Sequence, residues 1–393
     1  MFRILNRLPL LVKLFIAGVL GIACGLWLGD TGIRVLTTFQ ALFSQFIKFL
    51  VPFIILGFVT PAIADTGRNA GRTLLITMGL AYASTIFAGY FAYGVSSIVF
   101  PSLLGGNGME AAVAAKTFPT LFTLKIPPAM DVVTALVVSF MIGLGISATG
   151  ADSVYRGFSQ LRAIVERTLA KAFVPFLPLY ILTVTAELTA SGRLASIAGP
   201  AVRLMLCCIA ITLTLLVIQY FVAGVVTLRN PVKALWTMVP AYLTGWGTCS
   251  SAATIPVTLA RVRKNGVSEA TANLVVPLCA NVHLSGSMAN VVAYAAGILA
   301  MFGDPISIGP FTEYILAMSI VAVASPGVPG GCVLAAGAFV DSALGFTPER
   351  YALMVAIYMA LDGMGTACNL TGDGAIAMMV DRLAGGRPRS PSA

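Results

Sequence analysis

Apolar stretches of about 20 residues recur from one end of this chain to the other, and that recurrence excludes most folds. Each stretch can cross a hydrocarbon core about 30 Å thick. Backbone N–H and C=O groups find no water there, so a crossing segment must be a helix or part of a closed barrel. The short alternating segments of a transmembrane barrel are absent. The chain is 58% hydrophobic and 10% charged, against about 25% charged for a soluble domain. It reads as an all-α polytopic membrane protein in contact with the lipid bilayer. Helices are predicted over 9–29, 33–65, 71–100, 129–150, 159–190, 195–227, 268–302 and 350–382, which makes eight transmembrane helices. The first has the basic start of a signal peptide without a small-residue cleavage site, so it is read as a retained helix. No soluble domain is expected, only a polar tail over 386–393.

Two further segments are interrupted. Residues 231–264 carry Thr244-Gly-Trp-Gly-Thr-Cys-Ser-Ser251 and Pro256, and residues 308–346 carry Ser325-Pro-Gly-Val-Pro-Gly-Gly331. Apolar arms of roughly 12–17 residues rise only about 18–26 Å, too short for most spans. They are read as two re-entrant helical hairpins whose tips meet inside the membrane; a pair of kinked helices is the plainer alternative. Non-helical backbone survives at that depth only when buried in protein or lining a wet cavity. Paired broken segments in two halves of a chain point to a transporter binding site.

The net charge of +9 is explained by orientation, not by nucleic acid, for which no partner role is expected. With the N-terminus in the cytoplasm, the outside connections hold only Arg34, Lys116, Lys125, Arg193 and Arg350. Most other Lys and Arg residues, including Arg261, Arg263 and Lys264, then fall inside, as the positive-inside rule requires. Both termini are therefore expected in the cytoplasm, and the protein in the cell (inner) membrane. The seven cysteines lie in apolar or small-residue contexts without a CxxC and are read as packing residues.

Polar residues inside the spans carry the chemistry. The last span holds Asp362 and Asp373, and an Asp at the bilayer centre costs roughly 2.5–3.5 kcal/mol. Eleven residues at 100° each set the two carboxylates almost on one face, three turns apart. Thr366 and Asn369 share that stripe. It must face the protein interior, either as a hydrogen-bonded seam or as a ligand site, and no Lys or Arg in the neighbouring spans offers an obvious partner. His283, the only histidine, sits mid-span in Asn281-Val-His-Leu-Ser-Gly-Ser-Met288. Gly286 there permits unwinding, which exposes carbonyls to a cation. The histidine itself is either a structural hydrogen-bonding residue or a proton carrier. Ser250, Ser251 and Thr254 mark the first tip; a half-helix starting there offers free N–H groups to a carboxylate. No Ser-His-Asp order, metal triad or phosphate loop stands out, and no enzyme is expected.

In this order, these pieces resemble the glutamate transporter family, the dicarboxylate/amino acid:cation symporters, and are closest in character to its neutral serine/threonine-type members. Ser250-Ser-Ala-Ala-Thr-Ile-Pro256 resembles the serine-rich first tip. Val276-Pro-Leu-Cys-Ala-Asn-Val-His-Leu-Ser-Gly-Ser287 resembles the segment that ends in the family's Asn-Met-Asp-Gly-Thr. Gly327-Val-Pro-Gly330, followed by Asp362, Asn369 and Asp373, resembles the second tip and the final helix. The resemblance implies an elevator fold of eight transmembrane helices plus two hairpins, assembled as a homotrimer. Scaffold helices would lie in 1–70 and 101–192, and a mobile transport domain in 71–100 and 193–385. It also implies that a small amino-acid substrate is held by Ser250, Ser251, Thr254, Gly327, Val328, Asp362, Gly365, Thr366 and Asn369. Na+ sites would draw on Asn369, Asp373, Ser287, Ser325, His283, Ser84 and Thr85.

The departures refine this reading. Acidic-substrate members place an Arg four residues before the final-helix Asn; here that residue is Gly365, and Cys249 precedes the first tip. A second carboxylate buried without a partner is penalised by several kcal/mol, so a neutral amino acid is expected, unless Arg203 or another group supplies the charge. The Asp of the family's third sodium site is Ser285 here, so that site is expected to be absent or altered. The expected function is sodium-driven symport. The alternatives are a carrier of acidic amino acids or dicarboxylates coupled to H+, and a non-transporting sensor or channel.

Overall fold

A computed structural model describes residues 10–68, 72–104, 117–130, 132–168, 171–172, 174–192, 194–323 and 330–384. Among these residues every regular element is helical. The predicted tail over 386–393 and the second-tip residues Ser325, Gly327 and Val328 lie outside them.

The helices pack as two groups. The first comprises α1 (Leu10–Trp27), α2 (Asp30–Arg68), α4 (Val132–Thr149), α5 (Asp152–Thr168) and α6 (Leu177–Ala190), with α3 (Arg72–Leu103) belonging to the second. Helix α1 lies along α6. Gly21 and Gly25, one turn apart, let the backbones touch: a Cβ at either would sit 2.6 Å from the carbonyl oxygen of Leu182 or Ala186. Small residues spaced by four are how helices approach closely in lipid, where apolar side chains gain nothing by leaving the bilayer. Helix α2 packs against α4, α5 and α6. The chain over 117–130 straps α2 from outside, with Leu121 N donating to Thr38 Oγ1 and Ile126 N to Gln45 Oε1, each at 2.9 Å.

The second group adds α7 (Leu194–Thr227), α8 (Pro231–Thr237), α9 (Val239–Thr248), α10 (Ser251–Lys264), α11 (Glu269–Val282) and α12 (Ser285–Met301). It is completed by α13 (Ile308–Val323), α14 (Gly331–Ser342) and α15 (Pro348–Leu383). Four spans among the described residues are long and apolar enough to cross a membrane: α3, α7, α11 with α12, and α15. The last two are 94% and 89% buried over their apolar windows, against 28% and 33% for α3 and α7. The α11–α12 span and α15 therefore form the centre, flanked by α3 and α7.

Two expected helices are broken. The predicted span 159–190 divides into α5 and α6 around a 3₁₀ turn, Val174–Phe176. Pro175 and Pro178 remove backbone donors there, and Asp152, Arg156, Arg162, Glu166 and Arg167 make α5 too polar to enter lipid. The span 268–302 breaks at His283 and Leu284, whose backbones leave the helical region, beside the glycine that was expected to permit unwinding. The interrupted segments form helical pairs, α9 with α10 and α13 with α14. Their members have 10, 14, 16 and 12 residues, or roughly 15–24 Å.

Candidate functional site

Glycines bring the first tip to α15. A Cβ on Gly363 would lie 2.5 Å from the Trp246 carbonyl oxygen and 3.1 Å from Cys249 Sγ, and one on Gly245 would lie 3.2 Å from Ala367 Cα. The turn between α9 and α10 therefore lands one residue from Asp362. Cys249 occupies the left-handed region there, at φ 49°, at a cost of order 1–2 kcal/mol. Ser250 and Ser251 are half-buried. Thr254 turns its hydroxyl back on the turn, 2.9 Å from the Ser250 carbonyl oxygen and 3.2 Å from Thr248 Oγ1. It braces the tip and leaves the space beyond it to the two serines.

The second pair arrives from the other side. Gly330, at φ 78°, donates its N–H to Asp362 Oδ2 at 2.9 Å. Asp362 is buried, and no Lys, Arg or His among the described residues pairs with it. Tyr358 lies beside both Asp362 and Ser287. One turn along α15, Thr366 is buried as a residue, and its hydroxyl makes no hydrogen bond among the described residues. Arg203 is exposed on α7 and supplies no charge here. The carboxylate thus sits between the first tip and the start of α14, with its charge uncompensated among the described residues.

Asp373 has a different environment. Its Oδ1 lies 2.9 Å from His283 Nδ1, and His283 Nε2 lies 2.9 Å from Ser84 Oγ. Gln219 Nε2 donates to Ser84 Oγ at 3.0 Å and to Ser285 Oγ at 2.9 Å. A neutral imidazole satisfies this chain throughout: Gln219 donates to Ser84, Ser84 to Nε2, and Nδ1–H to the carboxylate. Asp373 Oδ2, Gln219 Oε1 and Thr371 Oγ1 remain buried without partners. A free carboxylate oxygen with the Gln219 amide oxygen beside the neighbouring Gly372 is the ligand chemistry of a hard cation. Thr85, expected beside Ser84, spends its hydroxyl on the Ala81 carbonyl at 2.9 Å.

Asn369 joins the two regions. Its Oδ1 accepts from Gly286 N at 2.8 Å and Ser287 N at 3.1 Å, and its Nδ2 donates to Ser287 Oγ at 2.9 Å. The side chain therefore caps the start of α12, whose first N–H groups have no partner within the helix. Close packing makes this possible, since a Cβ on Gly286 would lie 2.4 Å from Cys368 Cβ. The broken helix is held open by its neighbour. Two buried amides escaped the sequence reading: Gln219, in the chain above, and Asn290, one turn beyond Ser287 on α12 and 2% exposed. Each is a lone amide in an apolar run, and the rarity of such groups inside membranes was the available signal.

The architecture and this paired-tip site describe a membrane transporter. A family model described as "Sodium:dicarboxylate symporter family" matches residues 10–383, and the chain belongs to that family. Curated relatives include the serine/threonine transporter SstT of Acinetobacter baylyi. It is 24% identical over 407 residues, covering 97% of this chain and 99% of that protein. The protein of the same name from Acinetobacter baumannii (strain AYE) is 25% identical over 398 residues, covering 97% and 98%. Family and relatives are transporters, not enzymes, and the family is a sodium-coupled one.

Proposed function

We propose that this protein is a secondary active symporter that couples inward sodium movement to uptake of a small neutral amino acid. One observation carries the reading: Asp362 is buried beside the α9–α10 turn and the start of α14, with the Gly330 N–H as its backbone donor and no Lys, Arg or His among the described residues to balance its charge. A substrate ammonium group supplies that charge, and the N–H groups near Ser250 and Ser251 receive its carboxylate. Among the described residues no Lys or Arg is paired here to hold a second carboxylate, and the curated relatives are named for serine and threonine. Sodium is assigned to the buried oxygens around Asp373. One sodium ion crossing 100 mV releases about 2.3 kcal/mol, and a tenfold gradient adds about 1.4 kcal/mol. Together these concentrate a neutral solute several hundredfold.

In this reading the short paired helices are re-entrant hairpins closing on Asp362, and the eight-helix elevator plan holds. Helices α1, α2, α4, α5 and α6 form the scaffold of a homotrimer, while α3 and α7 to α15 travel with the cargo. Packing between the two groups is sparser than packing within each, which supports that division. N- and C-termini lie in the cytoplasm, below a cell inner membrane. Ser325, Gly327 and Val328 retain their proposed part in the second tip, and Ser287 lies at the junction of the two sites.

The test is a thermal-shift panel of amino acids with and without sodium on the purified protein, since a ligand stabilises the state it binds. Serine, threonine or alanine should raise Tm only when sodium is present. A shift with aspartate alone overturns the neutral substrate. Accumulation in sealed vesicles above the outside concentration excludes a channel, and binding without accumulation indicates a sensor. A second reading, with H+ as the coupling ion, is favoured by His283 bridging Asp373 and Ser84. It is rejected if His283→Gln keeps the wild-type pH profile and cation dependence of uptake.

A further inference from the structure

Asn290 lies on α12, one turn beyond Ser287, and is only 2% exposed. A buried amide ordinarily finds partners for both its ends. This one makes no side-chain hydrogen bond among the described residues, although it is not sealed from space as the orphaned oxygens at Asp373 are. Its Nδ2 lies where it would be 3.0 Å from a Cβ on Gly365, and Ser287 Oγ would be 3.4 Å from the same point. Gly365 falls between Asp362 and Asn369 on α15, next to Thr366, whose hydroxyl is likewise unengaged. The missing side chain at 365 thus leaves the Asn290 amide beside the stripe that holds Asp362. With its ammonium at Asp362 and its carboxylate toward the first tip, an amino acid has only its side chain left to present to this amide.

We propose that Asn290 is the specificity-determining residue for the substrate's side chain, and that it recognises a hydroxyl. An amide offers one donor end and one acceptor end, and a hydroxyl needs both. A carboxylate would leave the amide oxygen facing negative charge, and a methyl group would leave both ends unpaired. Gly365 is the residue that keeps the amide in place: any side chain there presses on Nδ2. This inference rests on the neutral amino-acid reading above and deepens it.

The experiment measures sodium-dependent binding of L-serine, L-threonine, L-alanine and L-aspartate to full-length protein in lipid nanodiscs. Wild type, Asn290→Ala and Gly365→Ala are compared. Wild type should prefer serine to alanine, and Asn290→Ala should lower that ratio roughly tenfold, the worth of one or two net hydrogen bonds. Gly365→Ala, which displaces the amide without removing it, should lower the ratio in the same direction by a smaller factor. An unchanged serine-to-alanine ratio in both variants overturns the proposal, as does an equal loss for the two ligands, which marks a packing role. Wild-type protein that binds aspartate and none of the neutral ligands sinks the parent reading instead, so the two failures are told apart. Should Asn290→Ala not fold, the Gly365→Ala ratio alone decides.

Discussion

Two aspartates eleven residues apart on α15 have opposite surroundings. Asp373 is met by a histidine at 2.9 Å, itself tied to Ser84 and through it to Gln219. Asp362 has one backbone N–H from Gly330, the Tyr358 hydroxyl beside it, and nearby side chains, Thr366 and Asn290, that make no hydrogen bond among the described residues. The same residue type on one helix face is thus braced by the fold at one level and left open by it at the other. Burying a carboxylate is expensive at either place. The brace marks a site for something small that coordinates oxygen, and the opening marks a site for something that brings its own charge and hydrogen bonds.

Replacing each carboxylate by its amide is the sharpest way to break this contrast. Asp362→Asn should weaken amino-acid binding by about 30-fold to several thousandfold, since truncating one partner of a buried charge pair costs about 2–5 kcal/mol. The ligand-free protein should lose no stability, because an uncompensated buried charge has been removed. Calorimetric titration and a melting curve read the two quantities. Asp373→Asn should instead abolish stabilisation by sodium alone, measured as the Tm difference between sodium and choline buffers. Next in size is His283→Ala, which strips Asp373 of its donor and should cost about 1–3 kcal/mol in denaturant titration. His283→Gln, which can still donate, should recover part of that loss. Gly363→Ala drives a methyl group toward the Trp246 carbonyl and should cost about 1–3 kcal/mol, weakening substrate more than sodium. The smallest effect belongs to Arg203→Ala. Its side chain faces outward, so substrate preference should not change, and stability should move by under about 0.5 kcal/mol.

The helical plan was legible because lipid leaves a chain few choices, and the apolar runs show where helices must be. The stripe of Asp362, Thr366, Asn369 and Asp373 followed from periodicity alone, and all four side chains are buried. The break between α5 and α6 was harder to see, since apolar content hid what Pro175 and Pro178 do to a helix. His283 stood out as unusual, yet spacing along the chain does not reveal that it would meet Asp373 ninety residues away. Asn369 is the instructive case. Its position on the stripe suggested a ligand-binding role, and the structure adds a second one, since its amide also holds the start of α12. Periodicity tells which way a side chain points, but not what has already taken it.

The hydrogen bonds from Gln219 through Ser84 and His283 to Asp373 cross α7, α3, the α11–α12 junction and α15 in succession. Sliding any one of these helices past the rest would strand buried polar atoms at about 1–3 kcal/mol apiece. They are consequently latched together, and a displacement that begins in one carries the other three along as a single body.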